Sequence, residues 1–135
     1  MKKLILGLLF GFALAACGGE ESASLVGQWA LVSHGPAESQ TPAAEGVDTS
    51  IEFKSDGTLG GNVGCNGFGG DYKVKGYEIA FGQIMSTLMF CEGPVGDQET
   101  TILNVLTGSA TFVLDGGTLT ITSVHRDAVV VLARK

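Results

Sequence analysis

Residues 51–81 read IEFKSDGTLGGNVGCNGFGGDYKVKGYEIAF. Ile51 and Phe53 alternate with polar neighbours, the period of two that places one set of side chains on one face of a strand. Asp56-Gly57 follows, a dipeptide suited to the positive φ of a tight hairpin turn, and Thr58-Leu59 restarts the alternation. Tyr72 and Val74 lead into a second turn at Lys75-Gly76. Tyr77, Ile79 and Phe81 then form a third apolar face. Short alternating runs joined by such turns predict consecutive antiparallel hairpins.

The rhythm continues outward in both directions. Downstream, Phe112 and Leu114 lead into Asp115-Gly116-Gly117, and Leu119 and Ile121 lead out. Ala128 to Ala133, AVVVLA, is a continuous apolar run that predicts a last strand buried on both faces. Upstream, Leu25 to Ser33, LVGQWALVS, predicts a first strand with Trp29 and Leu31 on one face and Trp29 as a core anchor. Between them, Gly35 to Asp48 holds two prolines and few large apolar residues, which predicts an exposed loop. One segment departs from period two. Ile102, Leu103, Val105 and Leu106 share a helical stripe, so the spacing predicts a helix over 97–106. Asp97 is its expected N-cap, Glu99 lies in its first turn and Gly108 stops it. Roughly eight short strands and one short helix define a mainly β domain, a small antiparallel barrel.

The first residues carry different information. Lys2 and Lys3 precede an uncharged run, Leu4 to Ala15, of 12 residues. A helix of that length reaches only ~18 Å, short of a ~30 Å hydrocarbon core, so residues 1–16 read as a secretory signal rather than a span. Leu14-Ala15-Ala16-Cys17 resembles a bacterial lipobox. That resemblance implies lipid on the Cys17 sulfur, cleavage before Cys17 and acylation of the new amine. The alternative is ordinary cleavage after Ala15. Gly18 stands where an Asp would resemble an inner-membrane retention signal. The expected location is therefore the cell envelope, in the periplasmic leaflet of an outer membrane if the cell has one. Residues 17–24 read as a lipidated flexible tether to a domain over 25–135.

Composition narrows the remaining classes. After removal of residues 1–16, six basic side chains face fourteen acidic ones, a net charge of −8. The acids are scattered and no basic patch exists, so nucleic acid is not an expected partner. Cys65 and Cys91 remain, and the oxidising compartment implied by the leader makes a disulfide their default state. It closes a loop of 27 residues. Chain entropy assigns about 3.5 kcal/mol to such a closure. There is no C-x-x-C, and His34 and His125 lack ligand spacing to either cysteine. No metal and no cofactor is expected.

Seven glycines fall between Gly57 and Gly70. A phosphate cradle needs a helix directly after its glycines, whereas Tyr72-Lys73-Val74 reads as strand. Bulges and close strand approach are the plainer use of these glycines. Asn66 suits a left-handed turn or a hydrogen bond to nearby backbone. Ser86, Thr87, Glu92 and Glu99 are candidates for a polar cluster near Cys91. His34, beside the 35–48 loop, and His125, in a Ser-Val-His-Arg-Asp turn, read as exposed turn histidines rather than members of a catalytic triad.

The order of these residues resembles the META domain of HslJ-like lipoproteins. Gly64-Cys65-Asn66 with Phe68 and Tyr72, then Ser86, Thr87, Met89 and Cys91, then Glu99, reproduce its pattern. Leu25, Gly27, Trp29 and Leu31 fit its opening L-x-G-x-W-x-L. The 35–48 loop carries no family signal. The resemblance implies a mostly antiparallel β domain with a short helix in the bacterial envelope. It also implies heat-shock and antibiotic-tolerance phenotypes without an agreed activity. The expected function is non-enzymatic: an envelope lipoprotein that meets the membrane through its anchor and binds an unidentified envelope protein. A small-molecule or lipid carrier is the alternative, for which an open barrel cavity of ~300 Å³ or more is required. A hydrolase is the least favoured reading.

Overall fold

The computed structural model describes residues 24–124 and 128–135. In chain order the elements are β1 (Gly27–Pro36), β2 (Thr41–Pro42), β3 (Ser50–Phe53), β4 (Thr58–Asn62), β5 (Gly67–Lys75), β6 (Glu78–Phe81) and β7 (Met85–Ser86). There follow α1 (Gly93–Val105), β8 (Gly108–Asp115), β9 (Thr118–Ser123) and β10 (Ala128–Arg134). Each long strand pairs antiparallel with the next in the order β1-β3-β4-β5-β6-β8-β9-β10. Pairing of β10 with β1, Leu31 opposite Leu132, closes the ring into an eight-stranded barrel. Closure removes the sheet edges that an open β domain of this size would have to protect.

The alternating residues do what their period requires. Trp29, Ile51, Phe53, Leu59, Ile79, Phe112, Leu119, Ile121 and Leu132 all point inward and belong to one buried cluster. These side chains pack together across the barrel interior. Phe68 and Tyr72 join the same core, the Tyr72 ring meeting Phe53 edge-on at 5.0 Å between centroids. Trp29 is the anchor its position promised. Its indole N–H donates to the Leu25 carbonyl at 2.9 Å, and the Arg134 guanidinium covers its ring at 4.3 Å.

Two ends of the barrel differ in kind. One, the turn end, carries the hairpin turns after β3, β5 and β8, together with residue 24 and the C-terminus. There Arg134 N–H donates to the Gly117 carbonyl and Lys135 N–H to the Gln28 carbonyl. Asp56 accepts from the Thr58 amide and hydroxyl, which holds its carboxyl below the usual range. Gly57 takes φ +85° in the same turn. The other, the helix end, carries α1, the 37–49 and 63–66 loops and the 82–92 segment.

Several expectations need correction. Tyr77 is 74 % exposed. Lys75 pairs with Glu78, so Gly76 and Tyr77 are themselves the turn and lie beyond the barrel rim. Val74 is also largely outside. The helix starts four residues early, at Gly93, with Pro94 in its first turn. Asp97 is therefore inside it rather than its cap, and Glu99 lies past the first turn. Glu92 occupies the N-cap without a side-chain hydrogen bond. Gly108, φ +75°, opens β8. The 35–48 segment is not simply an exposed loop. Its Thr41–Pro42 pairs with β1 as β2, and the Ala44 amide donates to buried Gln98. His34 is buried on β1, not exposed at a turn. Residues 1–16, Cys17 and His125 lie outside the described residues.

Candidate functional site

The helix end gathers most of the family-pattern residues around one carboxylate. Val63 ends the inward alternation of β4, and the chain turns through Gly64-Cys65-Asn66 before β5 begins. Asn62 Oδ1 accepts from the Gly64 amide at 3.0 Å, an Asx turn that starts this reversal. Helix α1 lies across the turn. Glu99, one helical turn before Ile102 on its inner face, points straight into it. Its Oε2 accepts the backbone amides of Cys65 at 2.9 Å and Asn66 at 2.7 Å. Its Oε1 accepts the Asn66 side-chain amide at 2.6 Å. Three donors on a buried carboxylate are the compensation that burial of a charge demands.

Gly64 makes this approach possible. A Cβ there would lie 2.6 Å from Glu99 Oε2 and 2.7 Å from Glu99 Cβ. Gly96 serves the same packing one turn earlier, where a Cβ would overlap the Cys91 carbonyl. Gln98, fully buried beside Glu99, ties the same 63–66 loop and the 37–49 loop to the helix. Its Nε2 donates to the Val63 carbonyl and its Oε1 accepts from Ala44, both at 2.7 Å. Gln98 is not legible in the sequence, because a glutamine in mid-helix carries no local mark of burial.

Asn66 faces the other way as well. Its Oδ1 accepts from the Thr87 hydroxyl at 2.8 Å and the Met89 amide at 2.7 Å. Its Nδ2 donates to the Met89 carbonyl at 3.0 Å. Met89 thus has both backbone groups paired to one side-chain amide, the exchange a strand partner would make. The antiparallel run of β7 along β5, with Ser86 opposite Phe68, and the bond from Thr87 N–H to the Gly67 carbonyl lead directly into this contact. The Cys65–Cys91 disulfide joins the same two segments, with Cα atoms 6.2 Å apart. Glu92 does not join them; it is exposed.

The segment pinned at Thr87, Met89 and Cys91 turns apolar side chains outward. Leu88 is 95 % exposed and Phe90 86 %, with Met85 and Met89 beside them. A shallow groove of about 400 Å³, lined by Gly61, Gly67, Phe68, Met85, Ser86 and Thr87, runs next to this tip. In the sequence Met89 is a family mark only, and nothing local to Leu88 and Phe90 signals an exposed apolar tip.

The donor set also defines what this cluster can do chemically. The sulfurs of Cys65 and Cys91 and a Glu99 oxygen lie within 4.8 Å of one another. Joined as a disulfide, however, the sulfurs are not thiolates, and Glu99 already accepts three N–H groups. The Thr87 hydroxyl donates its hydrogen bond to Asn66 Oδ1. His34 lies elsewhere, on β1, with Nδ1 buried and unpartnered among the described residues. Burial holds its pKa below the ordinary value, partly offset by Asp97. The cluster is a clamp: it fixes a loop, a helix and a tip.

An eight-stranded antiparallel barrel plugged by one helix, with a Cys-Asn/Cys/Glu clamp at the plugged end, is the class of domain defined here. The META domain family profile matches residues 23–135, and the chain belongs to that family. No curated protein matches it. Among solved structures, it is similar to a protein from Burkholderia xenovorans solved by NMR, with TM-score 0.66 and 22 % identity over 81 % of each chain. It is also similar to a DUF4847 family protein from Bacteroides vulgatus, with TM-score 0.57 and 17 % identity over 81 % of this chain and 92 % of that one. At these identities the likeness is one of fold.

Proposed function

We propose that this META-domain protein is a non-catalytic lipoprotein of the cell envelope, held by lipid on Cys17, that acts through protein–protein contact at its helix end. The observation that carries the reading is the tip: Leu88 and Phe90 stand in solvent on backbone fixed by Asn66, Thr87 and the disulfide. Backbone pinned in advance lowers the ordering cost of binding, and contiguous exposed apolar side chains mark interaction sites.

Two measurements test the reading. Cys17→Ser should move the protein out of the membrane fraction and remove lipid labelling; retention in the membrane overturns the anchor. Leu88→Ser with Phe90→Ser should keep the melting temperature within a degree or two and abolish the protein's contribution to survival under envelope stress. Undiminished survival overturns the contact reading.

A further inference from the structure

We infer that Asn66 is a latent site of self-modification: its side-chain amide, inert while the clamp holds it, converts to aspartate or isoaspartate once the 85–91 segment is released. Asn66 is followed by Gly67. The other two asparagines, Asn62 and Asn104, precede Val63 and Val105. A backbone nitrogen attacks the side-chain amide of the residue before it when its own residue is unhindered and conformationally free. Glycine meets both conditions best, and a β-branched valine meets them poorly.

The step needs no reactant but water. The Gly67 nitrogen bonds to Asn66 Cγ, the Cγ–Nδ2 bond breaks, and ammonia leaves with the proton given up by the Gly67 N–H. Water then opens the resulting imide at either carbonyl. One opening gives aspartate; the other gives isoaspartate, with the backbone rerouted through the side chain. In the closed clamp the ring cannot form. Asn66 is only 4 % exposed, and four hydrogen bonds of 2.6–3.0 Å hold its amide to Glu99, Thr87 and Met89. The sulfurs of Cys65 and Cys91 lie 3.5 and 3.6 Å from the same Nδ2. An amide tied on both atoms to other segments cannot turn back on its own backbone.

The clamp can open without the barrel. Thr87, Met89 and Cys91 lie on a segment outside the eight-stranded ring, joined to it by the short β7 pairing, by Asn66 and by the disulfide. Local opening of such a segment costs less than global unfolding. Conversion then makes the opening permanent. The oxygen that replaces Nδ2 would face Glu99 Oε1 at 2.6 Å and the Met89 carbonyl at 3.0 Å, both of them acceptors. Two like charges brought together where water is excluded, with the shared donor gone, oppose reclosure. Isoaspartate adds a backbone carbon directly before β5 as well. The modified chain keeps its barrel and loses the pinned tip.

The test incubates the full-length chain at mildly alkaline pH and follows the peptide that holds Asn62 and Asn66 by mass spectrometry. Fluorescence of Trp29, the chain's one tryptophan and fully buried, reports the barrel. Wild type should show no gain of about 1 Da at Asn66 over a time in which the denatured chain converts. Cys65→Ser with Cys91→Ser should convert roughly tenfold faster than wild type, or more, with Trp29 emission unchanged. Should that variant lose its barrel, Thr87→Val replaces it: one bond to Oδ1 goes, the disulfide stays, and conversion should again outpace wild type. Adding Gly67→Ala, whose Cβ meets nothing nearer than the Gly61 carbonyl at 3.9 Å, should slow the step roughly tenfold while Asn62 stays intact. Wild type converting as fast as the denatured chain overturns the protection. A folded variant no faster than wild type overturns the gate, and an unchanged rate with Gly67→Ala overturns the backbone attack.

Discussion

Glu99 and Asn66 hold each other at two points: the Glu99 carboxylate accepts the Asn66 backbone amide at 2.7 Å and its side-chain amide at 2.6 Å, and its Oε2 also accepts the neighbouring Cys65 amide. The charge sits where water is excluded, so its worth depends on these donors being present. Glu99→Gln keeps the size but turns one acceptor into a donor that faces another donor. It should cost about 2–3 kcal/mol, and Glu99→Ala, which orphans three N–H groups, somewhat more. Thermal unfolding should show a fall of roughly 10 °C for the glutamine variant. A melting temperature within two degrees of wild type would mean that the three bonds carry no net stability.

The same contact makes a prediction about glycine. Gly64→Ala introduces a Cβ 2.6 Å from Glu99 Oε2 and 2.7 Å from its Cβ, and the carboxylate cannot retreat without releasing its amides. The expected loss is about 1–3 kcal/mol. Gly117→Ala is the control, since nothing lies within 4 Å of a Cβ there. It should stay within about 0.5 kcal/mol. Equal effects at the two positions would show that lost backbone freedom, not the clash, governs Gly64.

The disulfide adds a covalent clamp to the same segments. Cys65 and Cys91 are 26 residues apart in sequence. Replacing both by serine should cost about 3.5 kcal/mol on chain-entropy grounds. Native protein should show no free thiol at either position before reduction; alkylation of both without reductant would deny the bond. Chemical denaturation of the double variant should shift its midpoint while the slope stays constant, because the buried surface is nearly unchanged.

Local chemistry made the barrel legible, and long-range chemistry hid the clamp. The Asp56-Gly57 and Gly116-Gly117 turns and the alternation of Ile51 with Phe53 act over two to five residues, so their consequences can be read from neighbours. Tyr77 misled because alternation alone does not say where a strand ends; two turn residues beside Lys75 moved it off the core face. Pro94 set the helix start, overriding the capping preference of Asp97. The pairings of Asn66 with Met89 and Glu99 span 23 and 33 residues, and no local pattern encodes them. Only the resemblance to META domains placed Gly64, Asn66, Thr87, Met89 and Glu99 in one set, and it did so without saying that they touch. Phe68 and Tyr72 belonged to that set as well and proved to be core.

His34 provides a pH-dependent prediction. Burial disfavours its charged form and lowers its pKa from the ordinary 6.5, while Asp97 on α1 opposes the shift. Its Nδ1 is buried with no partner among the described residues, so protonation there creates a buried donor and supplies no acceptor for it. The unfolded chain therefore binds the proton more readily than the folded one. This contribution to stability is fully present above 6.5 and is lost as pH falls from there through the folded value. The melting temperature of wild type should drop between pH 7.5 and pH 5, and His34→Gln, which cannot titrate, should drop less over the same range. Asp97→Asn, which removes the opposing charge, should steepen the loss. Parallel curves for all three proteins would place the acid sensitivity in other groups and show His34 to be pH-silent.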